Sequence, residues 1–268
     1  MMSDDEFYRY QRLIYDTVGI NFTDNKKQLL EARLRKRLET HNIASYGEYR
    51  KFVVDPKNDV EFVQMLNVIS TNKTDFFRES QHFDFLQENI YPKLKNKIKV
   101  RIWSAASSSG EEPYTLGMTL LEAIGETSGK DVKILGTDIS TKVLEEAEQG
   151  VYSADSVAPI GPSLLRKYFL KGHERWKGYY LVKDELKKLV SFRRLNLMEP
   201  FPLTVPFDFI FCRNVMIYFD KPTREKLVNR LSNQLVPGGY LFIGNAESLG
   251  GLKTGLKYVQ PAIYQRSL

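Results

Sequence analysis

A single cysteine, Cys212, excludes an intrachain disulfide framework. The three histidines, His41, His82 and His173, are scattered without metal-ligand spacing, so no metal site is expected. No apolar run approaches the roughly 18–20 residues of a membrane span. The opening MMSDDEFYRY is acidic and lacks the apolar stretch of a signal peptide. These absences predict a cytoplasmic protein with no direct membrane insertion. The dinucleotide-binding pattern GxGxxG is also missing; only Gly110 of such a pattern is present. What is there is ordinary for a globular chain: 268 residues, 42% hydrophobic and 27% charged, enough for a core without staples. The net charge of +6 mildly favours an acidic partner without identifying nucleic acid.

The first seventy or so residues read as helical. Apolar positions recur at helical spacing in Phe7–Val18, Leu29–Leu38, Tyr46–Val54 and Val60–Ile69, with Asp24 and Asp59 as expected caps of the second and fourth helices. From Ile98 the pattern changes. Strand-like runs (100–104, 132–136, 207–212, 240–244) alternate with helix-like runs (113–124, 141–148, 222–235), the signature of βαβ units and a parallel sheet. The alternation breaks between Tyr152 and Arg194. Gly172 and Gly178 flank a candidate hairpin, and Leu189–Leu195 reads as one further strand of a small antiparallel insert. The ends of the chain, 256–259 and 262–265, read as a closing strand pair. The expected organisation is therefore α/β: a helical unit over 1–71, then 72–268 with an insert at about 153–194.

The stretch VRIWSAASSSGEEPYTLGM, 100–118, is a strand, a loop of tiny residues and a helix start. Small residues let backbone approach a ligand, and Pro113 suits a first helical turn. Yet Glu111 and Glu112 occupy the helix start, where a phosphate binder would keep bare N–H groups. The implied ligand is nucleoside-like, without phosphate and cationic; S-adenosylmethionine fits. Asp138, in GTDIS, ends the next strand, where a carboxylate can accept both ribose hydroxyls; its plainer reading is a helix cap. In FDFIFCRNVMIYF, 207–219, Asn214 follows a strand end, where α/β sheets place ligands, and Tyr218 lies four residues on. In TNKTDFFRE, 71–79, Arg78 follows two anchoring phenylalanines and is a natural carboxylate clamp. On the helix around 26–38, Lys26, Arg33, Lys36 and Arg37 fall on one arc beside the apolar face of Leu30, Leu34 and Leu38. That arc is either a solvated face or a dock for an acidic helix.

TNKTDFFRE, WSAASSSGEEPYTL, TDIS, Asn196-Leu197 and CRNVMIYF, in this order, resemble the chemotaxis receptor glutamate methyltransferase family, CheR. The resemblance covers nearly the whole chain. It implies a helical N-terminal domain, a Rossmann-like class I methyltransferase sheet of seven strands and an inserted β-subdomain. It implies S-adenosylmethionine contacts at Asn72, Thr74, Arg78, Glu112, Asp138, Asn196, Leu197, Arg213 and Asn214, with Arg78 and Tyr218 nearest methyl transfer. The family's loop often carries Gly or Cys near Ala106–Ser107, where this chain has only Ala and Ser. The implied reaction converts receptor glutamates to γ-methyl esters and releases S-adenosylhomocysteine. The implied partner is the cytoplasmic helical bundle of a chemoreceptor, met by a monomer.

Two other readings stay open on residues alone. A nucleic-acid methyltransferase would favour an Asn/Asp-Pro-Pro-aromatic run where Arg213-Asn214-Val215-Met216 stands, or a reactive cysteine where Cys212 lies inside a strand. A module that binds the cofactor without turnover would not need Arg78 and Tyr218.

Overall fold

The computed structural model describes every residue except 71, 126–128 and 268. Thr71, the first residue of the TNKTDFFRE motif and the expected domain boundary, thus lies outside the described residues. Four helices open the chain: α1 Asp4–Val18, α2 Lys27–Thr40, α3 Tyr46–Val54 and α4 Asp59–Ile69. Helix α1 starts with a capping box, in which the Ser3 hydroxyl and the Glu6 carboxylate each accept the other residue's backbone N–H. It ends at Gly19, whose φ of 73° is the left-handed conformation that closes a helix cheaply only in glycine. Phe7, Tyr10, Ile14, Leu30, Leu34, Tyr49 and Met65 pack into one buried cluster, which follows from apolar residues spaced three and four apart.

Two expected caps are corrected. Asp24 opens a 3-10 turn, Asp24–Lys26, one turn ahead of α2. Asp59 is already the first helical residue of α4, because Pro56 starts a preceding 3-10 turn that Asp55 caps through the Lys57 N–H, 3.0 Å.

The second part is a seven-stranded sheet in the order β6-β2-β1-β7-β8-β10-β9. Its strands are β1 Lys99–Ala105, β2 Asp131–Asp138, β6 Val190–Arg194, β7 Phe207–Cys212, β8 Leu235–Ile243, β9 Leu256–Gln260 and β10 Ile263–Arg266. Neighbouring strands from β6 to β8 are parallel, and β10 enters antiparallel between β8 and β9. Both faces are covered. In β7, Phe209 and Phe211 join one core with Leu116 and Ile134, while Ile210 and Cys212 join the other with Trp103 and Leu227. This is the continuous apolar strand that a doubly covered parallel sheet demands.

Chain order reverses direction across β1 and β7. The carboxyl ends of these strands and of β2 therefore open onto a shared crevice. The Trp103 Nε1–H donates to the Thr137 hydroxyl at 2.9 Å and pins β1 to β2 just beneath it.

A separate three-stranded antiparallel sheet, β3-β5-β4, comprises β3 Val151–Ser153, β4 Phe169–Lys171 and β5 Tyr179–Val182. The hairpin between Gly172 and Gly178 is there. The strand expected at Leu189–Leu195 is not part of this insert, however. It is β6, paired in parallel with β2 from Ile134–Val190 to Asp138–Arg194. An edge strand covered on one side alternates like an antiparallel one, so its pattern does not say which sheet it joins.

Candidate functional site

The loop after β1 is wound by three left-handed residues in alternation: Ala106 (φ 75°), Ser108 (φ 49°) and Gly110 (φ 95°). At Gly110 a Cβ would lie 2.9 Å from the Ala147 Cβ and 3.0 Å from the Tyr152 hydroxyl, so only glycine fits. Such backbone is costly outside glycine and persists where surrounding contacts hold it. Here Ser108 does the holding. Its N–H donates to Asp138 at 2.9 Å and its hydroxyl donates to the Asn72 carbonyl at 2.8 Å. One residue thus ties together the three motifs around 72, 108 and 138.

These motifs wall a cleft whose non-atom space, open solvent included, is about 900 Å³. Asn72, Thr74, Arg78, Glu112, Asp138, Asn196, Leu197, Arg213, Asn214 and Tyr218 all line it. The Asp138 carboxylate also accepts the Ser140 N–H at 3.0 Å. Burial pushes its pKa up, against the pull of these N–H groups. Each of its oxygens keeps a further lone pair for a ligand hydroxyl.

Glu112 is held on both sides, by the Ser104 hydroxyl at 2.6 Å and by Arg213 Nε at 2.7 Å. Arg213 is the hub of the site's floor. Through one terminal nitrogen it donates to the Arg78 carbonyl (2.7 Å), Glu79 (3.1 Å) and His82 Nδ1 (3.2 Å). Its guanidinium lies 5.2 Å from the Phe211 ring centroid. Burial and the adjacent Arg213 charge push the His82 pKa down to about 4, so its ring is neutral and accepts. Arg78 donates to the Lys73 carbonyl (2.9 Å) and to Asn214 Oδ1 (2.8 Å). Among the described residues its Nε–H and the second N–H on each terminal nitrogen take no partner. Asn214 itself is left-handed, φ 59°.

Some expected residues behave otherwise. The Asn196 side chain is taken up within the protein, donating to the Thr17 carbonyl (2.7 Å) and Glu199 (3.1 Å) and accepting from the Met198 N–H (3.0 Å). Asn214 and Tyr218 do not share a regular helix; a 3-10 turn, Met216–Tyr218, brings both to the cleft. Arg37 is not on the open basic face. Its guanidinium grips buried Glu61 through two nitrogens, and Glu61 also accepts from Tyr49 (2.5 Å) and pairs with His41 (2.7 Å). Burial alone would raise the Glu61 pKa, but the bonds from Arg37, Tyr49 and His41 carry it below the usual value. Arg33 donates to the Ile69 carbonyl. Lys36 is exposed. Lys26 places its ammonium 5.8 Å from the Tyr218 ring centroid, at the cleft.

The sequence carried no sign of Val18 and Ile20, which line the cleft from the end of α1; they read only as helix-end apolar residues.

The two glutamates separate. Glu111 is absent from the cleft wall; its carboxylate accepts from Ser109 (2.8 Å) and lies near Asp75, Glu146 and Tyr152. Burial raises its pKa to about 7. The native state therefore holds a proton that the unfolded chain has lost between about pH 4.5 and 7, and stability falls as pH rises through that window. Glu111→Gln is expected to leave Tm nearly unchanged at pH 5. At pH 8 it should stabilise by up to about 3 kcal/mol. Thermal denaturation at the two pH values tests this; an equal effect at both would mean that Glu111 ionises normally.

The description "CheR methyltransferase, SAM binding domain" matches residues 72–264, and "CheR methyltransferase, all-alpha domain" matches residues 5–70. The chain belongs to the CheR methyltransferase family. Among its relatives, a chemotaxis protein methyltransferase of Borreliella burgdorferi is 42% identical over 274 residues, covering 99% of this chain and 95% of the relative. Another, of Salmonella typhimurium, is 38% identical, covering 94% of this chain and 86% of the relative. The cofactor of a CheR methyltransferase is S-adenosylmethionine, and the cleft suits it: carboxylates at Asp138 and Glu112, tiny residues in the loop between them, and no phosphate cradle. This CheR chain is an S-adenosylmethionine-dependent methyltransferase with an α/β sheet, a helical N-terminal part and a small antiparallel sheet. No described helix is long and apolar enough to cross a membrane.

Proposed function

We propose that this chain methylates glutamate side chains on the cytoplasmic helices of chemoreceptors, giving glutamate γ-methyl esters in chemotaxis adaptation. One observation carries the reading. Acidic cofactor-side groups, Asp138 and Glu112, share a cleft with Arg78 and Tyr218, and no histidine lines it among the described residues. A glutamate with a pKa of about 4.3 is already ionised at neutral pH, so its methylation needs no general base. A hydroxyl acceptor would need one.

When bound, S-adenosylmethionine supplies a methyl group on a positively charged sulfur. Asp138 would accept the ribose hydroxyls, and Asn72, Thr74, Leu197 and Asn214 would complete the cofactor wall. Glu112 offers negative charge toward the amino-acid end, while Arg213 keeps its carboxylate fixed. Arg78 orients the incoming carboxylate through the N–H groups it does not share with Lys73 and Asn214. Tyr218 closes the cleft over the reacting atoms and excludes water, which would otherwise blunt a hydrated carboxylate. On this reading the enzyme is a cytoplasmic monomer.

The receptor helix docks on α2 and the turn before it, through Lys26 and Lys36; Arg37 is taken up by Glu61 and Arg33 by the Ile69 carbonyl. Lys26 joins that surface to the Tyr218 ring, which supports docking of an acidic helix beside the cleft. Exposed charges are screened over about 8–10 Å at ordinary salt. The double variant Lys26→Glu, Lys36→Glu should therefore methylate about tenfold more slowly at low salt, with a smaller deficit at high salt. A deficit independent of salt would remove docking from α2. The decisive assay combines labelled cofactor with a receptor cytoplasmic fragment. Base-labile label on the receptor supports the ester. Label on nucleic acid, or cofactor bound without transfer, would overturn it.

A further inference from the structure

The turn that presents Asn214 and Tyr218 is strained at Asn214 and has little helical bonding of its own. Three of its backbone donors go to a side chain outside the cleft. Glu247, in Gly244-Asn245-Ala246-Glu247 beyond β8, is 9% exposed and does not line the cleft. Its Oε1 accepts the N–H groups of Met216 (2.7 Å) and Ile217 (3.2 Å). Its Oε2 accepts those of Gly244 (2.6 Å) and Asn214 (3.1 Å). Three donors from the turn and one from the strand end thus converge on one carboxylate.

Only an ionised carboxylate is acceptor on both oxygens, so no neutral side chain of this size serves all four donors. The approach also needs Gly244. A Cβ there would lie 2.9 Å from the Asn214 nitrogen and 3.0 Å from Glu247 Oε2. The chain of contacts then continues forward, because Asn214 Oδ1 accepts from Arg78 at 2.8 Å.

We propose that Glu247 is a positioning residue for methyl transfer: by clamping the Asn214–Ile217 turn to the end of β8, it fixes Asn214, and through it the Arg78 guanidinium. The inference rests on the assignment of the cleft as the reaction site. Glu247 touches neither cofactor nor substrate; it acts through backbone.

Glu247→Gln keeps the shape but turns an NH2 group against two of the four donors. In the intact protein, kcat/KM for receptor methylation should fall roughly 10²-fold, and amide exchange should speed up at Met216 and Gly244. A double-mutant cycle separates positioning from bulk stability. In the Asn214→Ala background, Glu247→Gln should cost less than about threefold more, because the element it positions has already lost its side chain. Full additivity would overturn the role. Should Glu247→Gln not fold, Glu247→Asp, with the charge on a shorter arm, takes its place in the same cycle. Wild-type turnover in Asn214→Ala alone would instead remove the site assignment. A large loss in Asn214→Ala with additive Glu247→Gln would remove only the Glu247 inference.

Discussion

Replacing Arg213 with alanine is expected to cost about 3–5 kcal/mol of stability and to abolish methyl transfer. The side chain is 3% exposed, and its carboxylate partners Glu112 and Glu79 are only 10% and 13% exposed. Truncation would leave both acids beside a cavity without their counter-ion. Glu112 would keep only the Ser104 hydroxyl. Breaking a buried pair from one side is costly because the surviving charge stays desolvated. The Arg78 carbonyl and His82 Nδ1 would lose their donor at the same time. Urea denaturation gives the stability change, and calorimetry with S-adenosylhomocysteine gives cofactor affinity. Arg213→Lys should recover only part of either, because an ammonium cannot reach Glu112 with one nitrogen and Glu79 with another. A loss of less than 1 kcal/mol in the alanine variant would contradict a buried network.

Arg78→Ala should lower kcat roughly 10²-fold, the scale of a misplaced reacting group, while cofactor affinity changes far less. Two of its N–H groups hold Lys73 and Asn214, and the other three are the ones proposed to meet the carboxylate. The interaction has to be moderate, since a carboxylate gripped too firmly is a poorer nucleophile. Arg78→Lys keeps the charge but loses the fork that binds Asn214 and substrate together, so it should recover little rate. Single-turnover methylation with saturating cofactor isolates this step. Equal loss of affinity and rate would make Arg78 a cofactor ligand and nothing more.

The cleft was legible because its residues sit in compact motifs. A strand, a tiny-residue loop and an acid at the next strand end lie close in sequence, and the β1–β2 register brings them face to face. What stayed hidden depends on packing between distant elements. Arg37 shares an arc with Lys26 and Lys36, but Glu61 on α4 turns its guanidinium inward, and nothing in α2 records the position of α4. Strand β6 alternates in a way that serves either sheet, and only pairing with β2 decides. Glu247 was missed for another reason. It recognises backbone N–H groups, which every residue except proline has, so the turn it holds carries no matching side-chain pattern.

The end of α1 has a consequence for how such chains can be recombined. The two family segments meet at residues 70 and 72, which suggests a seam where one helical unit could be exchanged for another. The hydrogen bonds do not respect that seam. Asn196 holds the Thr17 carbonyl, the Asn21 N–H donates to the Tyr218 carbonyl at 2.8 Å, and the Tyr15 hydroxyl donates to Asp220 at 2.8 Å. A chimera cut at 71 would import a foreign lid onto a native chamber. To work, it would have to carry the Tyr15–Asn21 segment and its partners across together, so the exchangeable unit is larger than the four helices alone.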